Sequence, residues 1–359
     1  MDLLDETAAL MEIPSVTGGE AALARHVRDR LSRGARSIHL DGRSVLVEPA
    51  QDDRPLVVLA GHLDTVPPRG NERPRRDGDT LWGRGSVDMK GGVAVIASVL
   101  DRAEIGSGWA RVGAILYAGE EGPAEQNDLA RLLDEPAAWA LGAELAILCE
   151  PTDATIEVGC VGTVNIEAVF RGEACHSARP WLGRNAISLA LPWLERITRF
   201  EPREHQVGGY AFRETATVTI LQAGTARNVV PAELIANLNY RFPPGWDQVR
   251  GRASALTLAE GADEVRVLDV APSGSIPFDR PLFSAFIKGS GASSRAKQAW
   301  TDVARMSAHG VPALNFGPGD PQLAHRDDER TTLDSLVRCG EILTEFLAGD
   351  RPFGKKGGG

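Results

Sequence analysis

The chain alternates short apolar runs with longer segments of helical spacing. A first helix is predicted from Asp2 to about Ile13, ended by Pro14. Thr17-Gly18-Gly19-Glu20 has the spacing of a capping box, with Thr17 as N-cap and Glu20 reaching back. It predicts a second helix ending near Gly34. Four apolar runs bounded by turn residues follow: Val45 to Val47, Leu56 to Ala60, Val112 to Tyr117 and Leu145 to Cys149. Leu56-Val57-Val58-Leu59-Ala60 does not alternate, which suits a strand covered on both faces. Helical stretches lie between the runs, at Met89 to Arg102 and Gln126 to Leu133. Strands separated by helices indicate a layered α/β domain.

The pattern changes after Cys160. Val164 to Phe170, Ala216 to Leu221 and Leu234 to Tyr240 alternate apolar and polar residues, as strands with one wet face do. A helical stretch, Asn185 to Phe200, lies between the first two. From about Pro277 the helix–strand pattern returns, with Val311 to Phe316 as a further buried strand. The simplest organisation is an insertion: a catalytic α/β domain of residues 1–162 and 277–359, and a smaller α+β domain of residues 163–276 between its halves. A length of 359 residues agrees with two domains.

Composition narrows the function. The sequence is 43% hydrophobic and 25% charged, with net charge -10 and no Lys/Arg-rich run, so neither a nucleic-acid nor an acidic-membrane partner is expected. An anionic substrate would need a local cluster of arginines or metal ions. The first residues carry acid rather than base and lead into no signal-like apolar core, and no apolar run approaches a membrane span. Cys149, Cys160, Cys175 and Cys339 form no CxxC pair, which is read as reduced thiols in a cytoplasm. The tail from Phe353 to Gly359 is expected to be disordered.

Hard-ligand side chains recur just after the buried runs. His62 and Asp64 follow the Leu56 run, Glu120 and Glu121 follow Val112 to Tyr117, and Glu150 follows Leu145 to Cys149. Asp88 stands at the entrance to a helix, and His325 follows the run ending at Phe316. In open α/β sheets the ligand crevice lies beyond the carboxyl ends of the strands. Five segments thus deliver His, Asp and Glu to one edge. Imidazole with carboxylate suits zinc, and this number of donors suits two metals sharing a bridging carboxylate. Each residue alone has an ordinary explanation. A histidine after a strand can be structural, adjacent glutamates are usually a solvated pair, and Asp88 could cap the helix it precedes. Their co-occurrence at corresponding positions is the signal.

Four motifs carry a family resemblance across nearly the whole chain. Gly61-His62-Leu63-Asp64-Thr65-Val66-Pro67, Gly83-Arg84-Gly85-Ser86-Val87-Asp88-Met89-Lys90-Gly91-Gly92, Glu120-Glu121-Gly122 and Cys149-Glu150-Pro151-Thr152 resemble, in order and spacing, the zinc aminoacylase/carboxypeptidase metallopeptidase family. His176 to Ala186, Gly317 to His325 and Trp300 to Arg305 are similar to its actinobacterial-type succinyl-diaminopimelate desuccinylases. The resemblance implies a mixed-sheet zinc-peptidase catalytic domain with an inserted α+β lid and dimerisation domain. It also implies two Zn²⁺ per chain, with Co²⁺ as a substitute. Asp88 would bridge them, His62 and Glu150 would complete one site, and Glu121 and His325 the other. Asp64 would orient His62. Glu120 would be the general base, taking the proton of the attacking water and passing it to the leaving amine.

The implied substrate is a small anionic N-acyl diamino acid. Arginine binds carboxylates in bidentate fashion. Arg179, Arg241 and Arg305 fall in family-like motifs, and Thr163, Asn228 and Thr301 are candidate polar contacts. The sequence also departs from proteobacterial relatives, which carry arginine near the position of Cys160 and tyrosine near that of Arg179. His176 could be a surface histidine. The resemblance instead implies that it stabilises the oxyanion in the partner subunit of a lid-mediated homodimer. Three functions stay open: a desuccinylase, another N-acyl-amino-acid deacylase (acetyl-ornithine or acyl-lysine type) or carboxypeptidase, and a non-catalytic metal-binding protein. Retention of Glu120 and every candidate ligand disfavours the last.

Overall fold

A computed structural model describes residues 2–32 and 37–354. The expected end of the second helix near Gly34 and the tail beyond Gly354 lie outside the described residues. The chain divides into two compact units. One comprises Met1–Val158, Ile276–Arg295 and Arg305–Gly359; the other Gly159–Ser275 and Ala296–Ala304. The segment Ala296–Ala304, read from the sequence as part of 277–359, packs with the second unit.

The first unit is built on an eight-stranded mixed sheet. Its order is Ile38–Asp41, Ser44–Val47, Arg111–Tyr117, Leu56–His62, Leu145–Leu148, Ala313–Asn315, Ile156–Val158 and Ser294–Ala296. The four central strands run parallel, while Ser44–Val47 and Ile156–Val158 pair antiparallel at either side of them. Leu56–His62 is buried at every position, as its unbroken apolar run predicts. Each such Val or Leu contributes about 1.5–3 kcal/mol of burial. Helices Leu3–Met11, Lys90–Asp101 and Leu333–Leu347 pack together in this unit. A three-stranded sheet, Arg330–Thr332, Thr80–Trp82 and Arg75–Asp77, pairs Arg330 with Trp82. It thereby brings the chain before Arg330 beside the chain after Trp82.

Two helix boundaries differ from the sequence reading. The second helix is Ala21–Leu31, with Glu20 as N-cap and no side-chain capping bond. The capping box does not form, because both of its side chains have stronger partners. Thr17 Oγ1 donates to Asp64 Oδ2 at 2.8 Å, and the fully buried Glu20 carboxylate pairs with Arg43 at 2.6 Å. A capping box does form one helix earlier, between Asp2 and Asp5. The stretch Gln126 to Leu133 is broken into a 3₁₀ turn, Ala124–Gln126, and a short helix, Leu129–Asp134.

The second unit is a five-stranded antiparallel sheet in the order Arg203–Val207, Tyr210–Ala223, Glu233–Phe242, Gly162–Arg171, Glu264–Ala271. One face carries Val164, Ile166, Ala168, Leu234, Ala236 and Leu238, all buried with Trp193 and Ile197 of helix Ala186–Thr198. The other face carries Thr163, Asn165, Asn237, Asn239 and Arg241. The alternation in the sequence is this division between faces. Among the described residues no helix is long and apolar enough to cross a membrane, and all four cysteines are free.

Candidate metal centre

Parallel pairing sends four strand ends to one edge of the first unit. His62 is the last residue of its strand and pairs with Tyr117, three residues before Glu120. Ala60 pairs with Leu148, two residues before Glu150, and Leu148 pairs with Asn315. The backbones crowd closely here. A Cβ on Gly317 would stand 2.3 Å from the Cys149 carbonyl oxygen, so only glycine lets the segment leading to His325 pass the Glu150 strand end.

Asp88 is the hub of the side-chain cluster. Its Oδ1 lies 3.0 Å from His62 Nε2, and its Oδ2 lies 3.2 Å from His325 Nε2. His325 Nε2 also lies 2.8 Å from Glu121 Oε1. His62, Asp88 and Glu121 each offer a donor atom within 4.8 Å of the others. Asp88 makes no cap for the following helix, whose N-cap is Met89; its carboxylate is turned to the two imidazoles. The Asp88–Met89 peptide is cis. Glu150 is buried at its strand end, and its charge acts on His62.

The carboxylates of this cluster set which charge it attracts. Burial pulls the His62 imidazole down, but hydrogen bonds with Asp64 and Asp88 outweigh it and hold the ring well above the usual range. Hydrogen bonds with Asp88 and Glu121 raise His325 to about 10. Burial raises the Asp88 carboxyl, and the two histidines more than reverse that, leaving it far below its ordinary value. The carboxylates thus draw positive charge to the imidazole nitrogens, the charge a divalent cation supplies. One carboxylate whose two oxygens face two different imidazoles, flanked by further carboxylates, fits a pair of divalent ions.

Asp64 faces His62, as expected, and holds a second group as well. His62 Nδ1 donates to the Asp64 backbone carbonyl at 3.0 Å, and the Asp64 carboxylate is farther off at 3.5 Å. That carboxylate also accepts the backbone N–H groups of Gly119, Glu120 and Glu121, each at 3.0 Å, along with the Thr17 hydroxyl. Gly119 reaches this position at φ 81°, where a Cβ would stand 1.9 Å from the Gln126 carbonyl oxygen. Asp64 therefore sets the loop that carries Glu120 and Glu121. Burial would raise its pKa, but hydrogen bonds from His62 and Thr17 bring it to about 2, so it stays ionised.

The remaining candidates lie mostly in the second unit, in three places. The exposed loop of His176 and Arg179 pairs with the chain at Asn228, through Ser177 N–H to the Asn228 carbonyl at 2.9 Å and a bridge of His176 with Val229. His176 Nδ1 accepts the Ala178 N–H at 3.1 Å, which sets the neutral ring as the Nε2–H donor tautomer. Thr163 and Arg241 are cross-strand partners, and Arg241 Nε donates to Asn239 Oδ1 at 2.8 Å. Burial lowers the Arg241 pKa, a sign of a guanidinium short of water. Thr301 is buried, and its carbonyl accepts from Cys160. Arg305 belongs to the first unit, where Nη2 donates to the Ala124 carbonyl at 3.4 Å.

Sequence reasoning missed Thr17, which it assigned to a helix cap, and Glu329. Glu329 lies in Arg326-Asp327-Asp328-Glu329-Arg330, a run that reads as a solvated charged loop, yet it is 1% exposed. Nothing in the spacing marks it out.

Residues 58–349 match peptidase family M20/M25/M40. The chain is 36% identical to the Mycobacterium tuberculosis protein DapE over 97% of this chain and 98% of that one. It is 34% identical to the succinyl-diaminopimelate desuccinylase of Corynebacterium glutamicum, again over 97% of this chain and 98% of that one. A tripeptidase of Staphylococcus aureus has a similar fold, with TM-score 0.76 and 20% identity over 96% of each chain. With its four motifs in order and the match spanning most of its length, the chain belongs to peptidase family M20/M25/M40.

Proposed function

We propose that the chain is a zinc-dependent amidohydrolase that cleaves the N-succinyl amide of N-succinyl-LL-2,6-diaminopimelate, giving succinate and LL-2,6-diaminopimelate for lysine synthesis. The observation that carries the hydrolytic part is the Asp88 carboxylate facing His62 and His325 with its two oxygens, beside Glu121. The acyl group rests on near full-length similarity to the Corynebacterium glutamicum enzyme of that name. His62, Asp88, Glu121, Glu150 and His325 would hold two ions, which supply Lewis acidity toward the amide carbonyl and acidify water. Glu120 takes a proton from the attacking water and delivers it to the departing amine nitrogen. Asp64 keeps Glu120 and Glu121 in place through their amides. The four free cysteines fit the cytoplasm as its compartment.

Arg241 is the proposed partner of the succinyl carboxylate. Asn239 occupies its Nε and orients the guanidinium. An acetyl substrate would leave this half-buried cation unpaired, so succinyl substrates should be preferred by at least about tenfold in kcat/KM. Arg241→Ala should collapse that preference mainly by raising KM for the succinyl compound. Comparing succinyl- and acetyl-diaminopimelate, with C-terminal dipeptides as a third arm, tests the substrate. Equal use of both acyl groups by the wild type would point to a general deacylase, and faster dipeptide cleavage to a carboxypeptidase.

His176 is proposed to donate its Nε2–H to the developing oxyanion in the active site of a second copy. Trp181, Leu182, Leu191, Ile220 and Leu221 of the second unit are more than half exposed, the kind of surface a dimer covers. His176→Ala and Glu120→Gln homodimers should each be nearly inactive with their ions retained. A mixed dimer would gather both lesions in one active site and leave the other whole. Activity should therefore partly return on subunit exchange. Demonstrated exchange without any return would exclude action across the dimer.

A further inference from the structure

We propose that Arg84 and Glu329 are positioning residues, a buried ion pair that fixes the backbones of Asp88 and His325 so that their side chains meet. The inference rests on reading the cluster around Asp88 as a metal centre. The two partners are 245 positions apart in the chain, with 5% and 0% side-chain exposure, and Arg84 Nη1 lies 2.8 Å from Glu329 Oε2. The other carboxylate oxygen, Oε1, accepts the N–H of Val87 at 3.1 Å and of Asp88 at 3.2 Å. The Glu329 carbonyl accepts Gly83 N–H at 2.9 Å. On the opposite side, Arg84 Nη2 donates to the His325 carbonyl at 3.2 Å. His325 stands at φ 65°, in the left-handed region that non-glycine residues seldom adopt.

The pair thus grips both segments whose side chains converge on one another: Asp88 by its amide and His325 by its carbonyl. Stability alone does not account for such an arrangement. Desolvating two charges costs about as much as their attraction returns, and an apolar pair of the same volume would serve a core at least as well. What the charged pair adds is direction. A carboxylate takes two adjacent amides and a guanidinium from fixed angles, which apolar packing cannot do. Groups that hold metal ligands in this way typically change affinity by about 10–100-fold when removed.

The test is cobalt and zinc binding to the full-length protein, with chelator competition for affinity and the visible cobalt spectrum for geometry. Glu329→Gln keeps size and one acceptor oxygen but turns an amide group toward Arg84. Arg84→Lys keeps the charge and can pair with Glu329, but a single ammonium cannot span to the His325 carbonyl as the planar fork does. Both variants are expected to bind cobalt about 10–100-fold more weakly, with a shifted spectrum, while the melting temperature of the metal-free protein moves less for Arg84→Lys than for Glu329→Gln. Wild-type affinity and spectrum in a folded Arg84→Lys protein, with only its melting temperature lowered, would make the pair a fold staple and overturn the proposal. Absence of cobalt binding by the wild type would instead remove the metal-centre reading beneath it. Should Glu329→Gln not fold, Arg84→Lys decides alone.

Discussion

Replacing Glu120 by Gln is expected to lower turnover by about 10²–10⁴-fold while the protein keeps its fold and its metal. The substitution preserves size and removes only the basic oxygen. The loop should not move, since the Glu120 amide remains bonded to Asp64 Oδ1 and the Glu121 amide to Oδ2. Glu121, the neighbouring candidate ligand, is held through its own amide on Asp64 Oδ2. The measurement is kcat alongside elemental analysis and melting temperature on the same preparation. Near wild-type turnover would take Glu120 out of the reaction. Loss of an ion together with activity would make it a ligand instead.

Asp88→Asn should have an effect of similar size by another route. The two Asp88 oxygens face two different histidines, and the amide replaces one oxygen with an NH₂ group that can only donate. The bridge and its charge go together. Metal content should fall from about two ions per chain to one or fewer, because a single carboxylate serves both positions, and turnover should drop by about 10²–10³-fold or more. His325→Ala makes the contrast: it removes one of the two imidazoles and leaves His62 against Asp88, so one ion should remain. Elemental analysis at saturating zinc separates the cases. Two ions bound in Asp88→Asn would show that the carboxylate does not bridge.

The first unit was legible in the sequence because buried parallel strands announce themselves as unbroken apolar runs. The runs Leu56 to Ala60 and Val112 to Tyr117 lie within the strands Leu56–His62 and Arg111–Tyr117, and of the acids and histidines read just beyond them, His62 and Glu121 join Asp88 and His325 in one cluster. Three strands of the second unit showed through their alternation, since one face of their sheet is apolar and the other polar, while the edge strands Arg203–Val207 and Glu264–Ala271, exposed or half-buried throughout, show no such alternation of burial and were not read. Three-residue strands such as Thr80–Trp82 and Arg330–Thr332 are too short to show a period. Polar contacts over long chain separations were also hidden. Thr17 reaches Asp64 across 47 positions and Glu329 reaches Arg84 across 245, and only a folded backbone reveals either. For Asp64 the resemblance implied the contact with His62, but its second contact, with a loop more than fifty residues away, was not visible in the sequence.

That turn ties two parts of the chemistry to one anchor. Glu120 and Glu121 hang by consecutive amides from opposite oxygens of a single buried carboxylate, and the backbone of the same residue holds His62 Nδ1. Ordering such a loop costs about 1–2 kcal/mol per residue, a cost met here by the folded scaffold rather than by the arriving ion or substrate. The backbones of Glu120, the proposed proton acceptor, and Glu121, the proposed ligand, are thus held by one carboxylate. A displacement of the loop would therefore move the Glu120 and Glu121 backbones together, as a pair, relative to Asp88 and His325.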